Sequence, residues 1–197
     1  GGLTLGLKKA GYSVLAAVEI DTQAQQTYTS NHPDVKLLSQ DVRTVDAAKL
    51  RRALGLRKGE LGLLAGCPPC QGFSRMRTKN GVRAARDPRN ALINDFLRFV
   101  EEFLPKTIMM ENVPALARHQ RFVSLRSKLR KLGYGDFVDV LDAADYGVPQ
   151  RRKRLILLAS KIHQPTPAKP AEKRVTVRKA IASFSDVASS NDALHRM

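Results

Sequence analysis

Apolar residues along the chain recur in two rhythms. Short unbroken runs bounded by turn residues read as buried strands: Ser13-Val14-Leu15-Ala16-Ala17-Val18, Leu61-Gly62-Leu63-Leu64-Ala65, Thr107-Ile108-Met109-Met110, Asp136 to Leu141 and Leu155 to Ala159. A weaker run covers Lys36 to Ser39. Between them lie stretches with helical character. Leu3 to Ala10 stops at Gly11, Thr22 to Ser30 follows Asp21, Val45 to Leu54 precedes the Leu61 run, and Arg121 to Leu132 stops at Gly133. The strongest helical signal is the four-residue row Leu92, Phe96, Val100 and Leu104, capped by Asn90 and ended by Pro105, which reads as core. Strands alternating with helices predict an α/β fold, doubly wound around a mostly parallel sheet, with the last two strands an antiparallel pair.

The pattern breaks in three places. After the Leu61 run comes Gly66-Cys67-Pro68-Pro69-Cys70-Gln71-Gly72-Phe73-Ser74, a loop stiffened by two prolines at a strand's carboxyl end, where open α/β sheets place ligands. Residues 75–89 have no apolar period and carry six Arg or Lys, which predicts a lid or binding loop. Lys161 to Arg174, rich in Pro, Ala and Lys, reads as a linker to a short helix from Val177 to Phe184.

Charge changes the picture more than composition does. Among 197 residues, 43% hydrophobic and 26% charged is ordinary, but 34 Lys and Arg against 18 Asp and Glu leave +16. That surplus points to a polyanionic partner, nucleic acid first. No apolar run approaches membrane-spanning length and no signal peptide opens the chain, so a cytoplasmic protein is expected, nucleoid-associated in a prokaryote. Two cysteines form no disulfide framework.

Several strand ends carry candidate chemistry. Cys70 is presented by a rigid loop, as a nucleophile requires. Glu111, after the Thr107 run, is placed for acid–base work, or for a cap ahead of Pro114. Arg152 and Arg154 lead into the last strand as a guanidinium clamp, and such groups favour a thiolate. Glu19, about twenty residues after a glycine turn, stands where a doubly wound fold holds ribose hydroxyls. Asp21 reads as a helix cap. Asp41 accepts an adenine amino group or caps the next helix; position alone leaves those even. Cys67-x-x-Cys70 also admits a disulfide oxidoreductase, although Pro at both middle positions argues against a helix start there. A zinc site lacks a second ligand pair, so no metal is expected.

With those residues in view, the chain resembles the DNA cytosine-5 methyltransferases. It carries Pro69-Cys70-Gln71, Glu111-Asn112-Val113 and Gln150-Arg151-Arg152-Lys153-Arg154 in that family's order, over roughly residues 1 to 160. The resemblance implies a Rossmann-like domain and S-adenosylmethionine as cofactor. It implies double-stranded DNA as substrate, and a cognate restriction endonuclease as a partner in the same system. By the same matching, Cys70 adds to the cytosine ring, Glu111 contacts N3 and the amino group, and Arg154 with Arg152 holds the O2 side of a flipped base. Gly2, Glu19, Ile20, Asp41, Val42, Pro69 and Leu92 would line the cofactor pocket, while Ser74, Arg75 and Arg89 would contact DNA phosphates. Related alternatives are the same chemistry on tRNA and a non-catalytic nucleic-acid-binding module.

The match is incomplete at both ends. Only Gly1 and Gly2 remain of the family's glycine-rich first motif, so truncation at the first strand is expected. Residues 161–197 read as a linker and short helix leading to an absent target-recognition domain. The isolated chain is accordingly expected to bind cofactor poorly and to methylate weakly or not at all.

Overall fold

The computed structural model describes residues 1–68 and 92–182. The first half runs α1 (Gly2–Lys9), β1 (Ala16–Glu19), α2 (Thr22–Asn31), β2 (Lys36–Ser39), a 3-10 turn (Val42–Thr44), α3 (Ala47–Ala53) and β3 (Leu63–Gly66). After the undescribed stretch come α4 (Leu92–Phe103), β4 (Thr107–Asn112), a 3-10 turn (Pro114–Arg118), α5 (Gln120–Lys131) and β5 (Gly135–Asp142). A further 3-10 turn (Ala143–Tyr146), β6 (Lys153–Ser160) and α6 (Val177–Ile181) complete the order.

The strands form a parallel pair, β1 with β2, and a four-stranded sheet in the order β3-β4-β6-β5. β3 and β4 are parallel, while β6 runs antiparallel to both β4 and β5. The α/β class and the carboxy-terminal antiparallel pair are therefore as the sequence predicts, and the sheet as a whole is mixed. Among the described residues no ladder joins β1 to β3. The two sheets share a core instead: Val18 of β1, Leu38 of β2 and Leu64 of β3 all pack against Val45, Ala47, Leu50, Phe99 and Phe103.

α4 is the keystone of that arrangement. One side of it (Ile93, Phe96, Leu97, Val100) enters the main core with Ile108, Met110, Leu125, Leu155 and Leu157. Its other side, Phe99 and Phe103, belongs to the second cluster. A helix buried on two sides is apolar beyond one stripe, which is why a single row of four underestimates it. The row also overreaches by one residue. The helix ends at Phe103, and Leu104 takes φ 45°, because the following proline disfavours helical backbone at the residue before it.

Other boundaries shift for local reasons. Asp46, rather than Val45, starts α3, its side chain accepting from the Lys49 N–H at 2.9 Å. β4 continues through Glu111 and Asn112 because β6 supplies partners for both, Ile156 and Leu155. Glu111 thus sits inside a strand, not in the turn after it. β6 likewise begins at Lys153, so Arg154 is a strand residue.

Candidate active site

β3 and β4 end side by side, and the chain leaves β3 through Cys67 and Pro68. Gly66 is required there: a Cβ on it would lie 2.7 Å from Cε2 and 2.8 Å from Cδ2 of the Phe96 ring. Asn112, only 4% exposed at the end of β4, donates from Nδ2 to the Pro68 carbonyl at 2.8 Å. Its Oδ1 accepts the Val113 N–H at 2.8 Å. One buried amide therefore ties the end of β4 to Pro68, where the chain leaves β3. Sequence reasoning gave Asn112 no role of its own; its place inside Glu-Asn-Val was the available signal.

Glu111 and Arg154 are brought together. Arg154 Nε stands 2.7 Å from Glu111 Oε1, both side chains about a quarter exposed. The geometry follows from the sheet, since Glu111 pairs with Ile156, two residues along β6 from Arg154. Arg152 does not join them. It is exposed, precedes β6, and contributes its backbone: its N–H donates to Asp142 Oδ1 at 2.9 Å and its carbonyl accepts from Ala143 N–H at 3.0 Å. The inward-facing cation of the basic run is Arg154, whereas Arg151, Arg152 and Lys153 are exposed.

Cys67 also faces Glu111. Although the residue is exposed, desolvation of its thiol, and then the neighbouring Glu111 carboxylate, push the thiol up to about 11. At neutral pH it is protonated, the opposite of what a thioredoxin-type attacking cysteine needs. Cys70, Pro69, Ser74, Arg75 and Arg89 lie outside the described residues.

The parallel β1–β2 pair ends in two carboxylates. Glu19 Oε1 accepts the backbone N–H groups of Ile20 at 2.9 Å and Asp21 at 3.0 Å, which fixes the rotation of the carboxylate. Ile20 beside it is 62% exposed, an apolar side chain offered to solvent. Asp21 caps α2, accepting from Ala24 N–H at 2.8 Å, as the sequence suggests. Asp41 caps the 3-10 turn through Arg43 N–H at 2.9 Å and holds the Arg43 guanidinium with both oxygens. The Arg43 side chain first, then its backbone N–H, keep that carboxyl below the ordinary carboxylate range. Val42 is half-buried against the second cluster, and Arg98 of α4 braces the turn by donating to the carbonyls of Val42 at 2.8 Å and Val45 at 2.7 Å. Gly2 is the first residue of α1 and is exposed; Leu92 opens α4, half-buried.

The described residues thus place Glu19 at the end of β1, Asp41 just beyond β2, and the Glu111–Arg154 pair beside Cys67 where the chain leaves β3. A family model described as C-5 cytosine-specific DNA methylase matches residues 1–195. The chain belongs to that family. It is 38% identical over 181 residues to the type II methyltransferase M.AgeI of Thalassovita gelatinovora, covering 88% of this chain and 41% of that protein. It is 38% identical over 195 residues to M.XorII of Xanthomonas oryzae pv. oryzae, covering 96% of this chain and 45% of that one. The chain thus spans under half the length of either relative. In a crystal structure described as a DNA modification methyltransferase encoded within an E. coli prophage, 30% identical, the match covers 94% of this chain and 53% of the other with a TM-score of 0.72.

Proposed function

We propose that the protein carrying this chain transfers a methyl group to carbon 5 of cytosine in double-stranded DNA, as a restriction-modification methylase. The observation that supports this best is the Glu111–Arg154 pair at 2.7 Å beside the loop that leads from Cys67 to Cys70. S-adenosylmethionine, when bound, supplies an electrophilic methyl on a sulfonium. The residues present fit it: Glu19 is pre-oriented to accept from a ribose diol, and Ile20 and Val42 offer apolar surface for a base. Gly2, Pro69 and Leu92 complete that pocket in this reading, and Asp41 takes the adenine amino group once Arg43 yields.

The protein's own steps then follow from chemistry. The Cys70 thiolate adds to C6 of a flipped cytosine, and electron density moves toward C5 and N3. Glu111 shares a proton at N3 and accepts from the amino group, while Arg154 holds Glu111 in line and offers N–H donors to O2. Arg152 acts through the turn it closes. Once C5 is methylated, a base removes its proton, the electrons of that C–H bond re-form the ring double bond, and Cys70 is expelled. Ser74, Arg75 and Arg89 contact phosphates. Residues 1–160 form the catalytic part, and 161–197 lead toward a recognition region and, in its system, a cognate endonuclease.

The test is covalent trapping. The 197-residue chain, alone and fused to the carboxy-terminal half of a type II relative, is incubated with S-adenosylmethionine and duplex DNA containing 5-fluorocytosine. The fusion should yield an adduct that peptide mapping places on Cys70, lost in C70S and retained in C67S. Absence of adduct from both proteins overturns the proposal in favour of a non-catalytic nucleic-acid-binding module. A disulfide oxidoreductase would form no such adduct, and its thiol–disulfide exchange would be lost in C67S.

A further inference from the structure

The chemistry above leaves residues 161–176 unused, yet they travel the length of the sheet. β6 ends at Ser160, opposite Thr107 at the start of β4. Asp145 follows the other end of β5, where Asp142 faces Lys153. An eight-residue strand separates those ends, about 26 Å. The segment is fastened at its start, with Lys161 N–H on the Lys106 carbonyl at 3.1 Å and Gln164 Nε2 on the Asp136 carbonyl at 3.2 Å. Pro165 is buried, and Pro167 and Pro170 suit an extended path. It is fastened again at its far end. Ala171 N–H donates to the Asp145 carbonyl at 2.7 Å, and Arg174 Nε donates to Asp145 Oδ1 at 2.7 Å.

Asp145 sits on the turn that opens the arginine-bearing loop. That loop is closed by Asp142 on Arg152 N–H, by Ala143 N–H on the Arg152 carbonyl, and by Val148 N–H on the Ala143 carbonyl. Two residues beyond Arg152, Arg154 reaches Glu111. We propose that Arg174 is a positioning residue: through Asp145 it fastens the 143–152 loop and so keeps Arg154 registered on Glu111. This rests on the reading of Glu111 and Arg154 as site residues. Arg174 and Asp145 are both partly exposed, and exposed pairs contribute little to global stability. A strap of this kind therefore acts locally, on the loop, more than on the melting temperature.

Two readouts on the 197-residue chain test it without cofactor or DNA. The first is amide hydrogen exchange over 143–152, compared with 135–142 and 92–103. R174A should speed exchange in 143–152 by up to about fivefold while the other two segments stay unchanged. The second is the Nε–Hε resonance of Arg154, assigned with R154K. It should move toward the position of an unpaired guanidinium in R174A and return in the charge-swapped pair D145R/R174D. If only 168–176 exchange faster and the Arg154 resonance stays put, the strap fastens nothing but itself and the inference falls. Neither readout requires methyl transfer, so that result leaves the catalytic proposal standing, and failure to trap an adduct leaves the strap standing.

Discussion

Replacing Gly66 with alanine tests whether the end of β3, where the chain leaves toward Cys67 and Pro68, is set by core packing. The added Cβ would lie 2.7 Å from one Phe96 ring carbon and 2.8 Å from the next, whereas carbon atoms settle at about 3.5 Å or more. Ring and strand must then separate by roughly 0.8 Å. Phe96 has little room to retreat, because it is buried among Ile93, Leu97, Val100, Ile108 and Met110. Overpacking of this size costs about 1–3 kcal/mol, and in a domain near this length each kcal/mol lowers the melting temperature by roughly 2–4 °C. Urea unfolding followed by circular dichroism measures the loss. The diagnostic is a double-mutant cycle with F96L, which frees space beside the new methyl. G66A should cost less in the F96L background than in the wild type, by at least about 0.5 kcal/mol. If G66A alone is neutral, or if the two effects simply add, the close approach does not constrain the end of β3 and the packing argument is wrong.

Other substitutions probe neighbouring links. Asp136 is 5% exposed on its side chain and binds Arg126 and Arg130; desolvation alone would raise its carboxyl, but the two arginines outweigh it and hold it low. Its contribution is therefore present above the unfolded value of about 3.9 and is lost as pH falls through the folded value. D136N should cost about 1.5–3 kcal/mol near neutrality and flatten the acid limb of the stability–pH curve; an unchanged limb refutes the assignment. N112A leaves the Pro68 carbonyl without its donor, which should cost about 1–3 kcal/mol and reduce adduct formation in the fusion protein more than its stability loss explains; equal losses would make Asn112 purely structural. R43A removes the guanidinium that occupies Asp41, so S-adenosylmethionine should bind about two- to fivefold tighter by calorimetry, and weaker binding would mean that Arg43 serves the cofactor.

What could be read from the residues, and what could not, divides on locality. The Leu61 and Thr107 runs identify β3 and β4 because unbroken apolar stretches between turn residues have few other uses. The family resemblance rests on Cys70, Glu111 and Arg154 in order, and the structure brings Glu111 to Arg154. Arg152 and Arg154 lie together in the basic run, but the strand begins at Lys153, so the sheet's register holds Arg154 and not Arg152. The four-residue row leaves out Phe99 and Phe103 because a helix wedged between two clusters has two buried sides, a tertiary fact with no single-period signature. The fastening of Asp145 by Arg174 joins positions 29 residues apart, and nothing in a linker composition announces such a contact.

Among the described residues no ladder joins β1 to β3, and this has a mechanical meaning. Hydrogen-bonded strands hold their spacing stiffly, whereas Val18 and Leu64 pack against a shared cluster of side chains that includes Phe99 and Phe103. The spacing of β1 and β3 is thus a compliant joint, set by how those side chains pack. Trimming Phe99 would loosen that joint without altering Glu19 at the end of one strand or Cys67 at the end of the other.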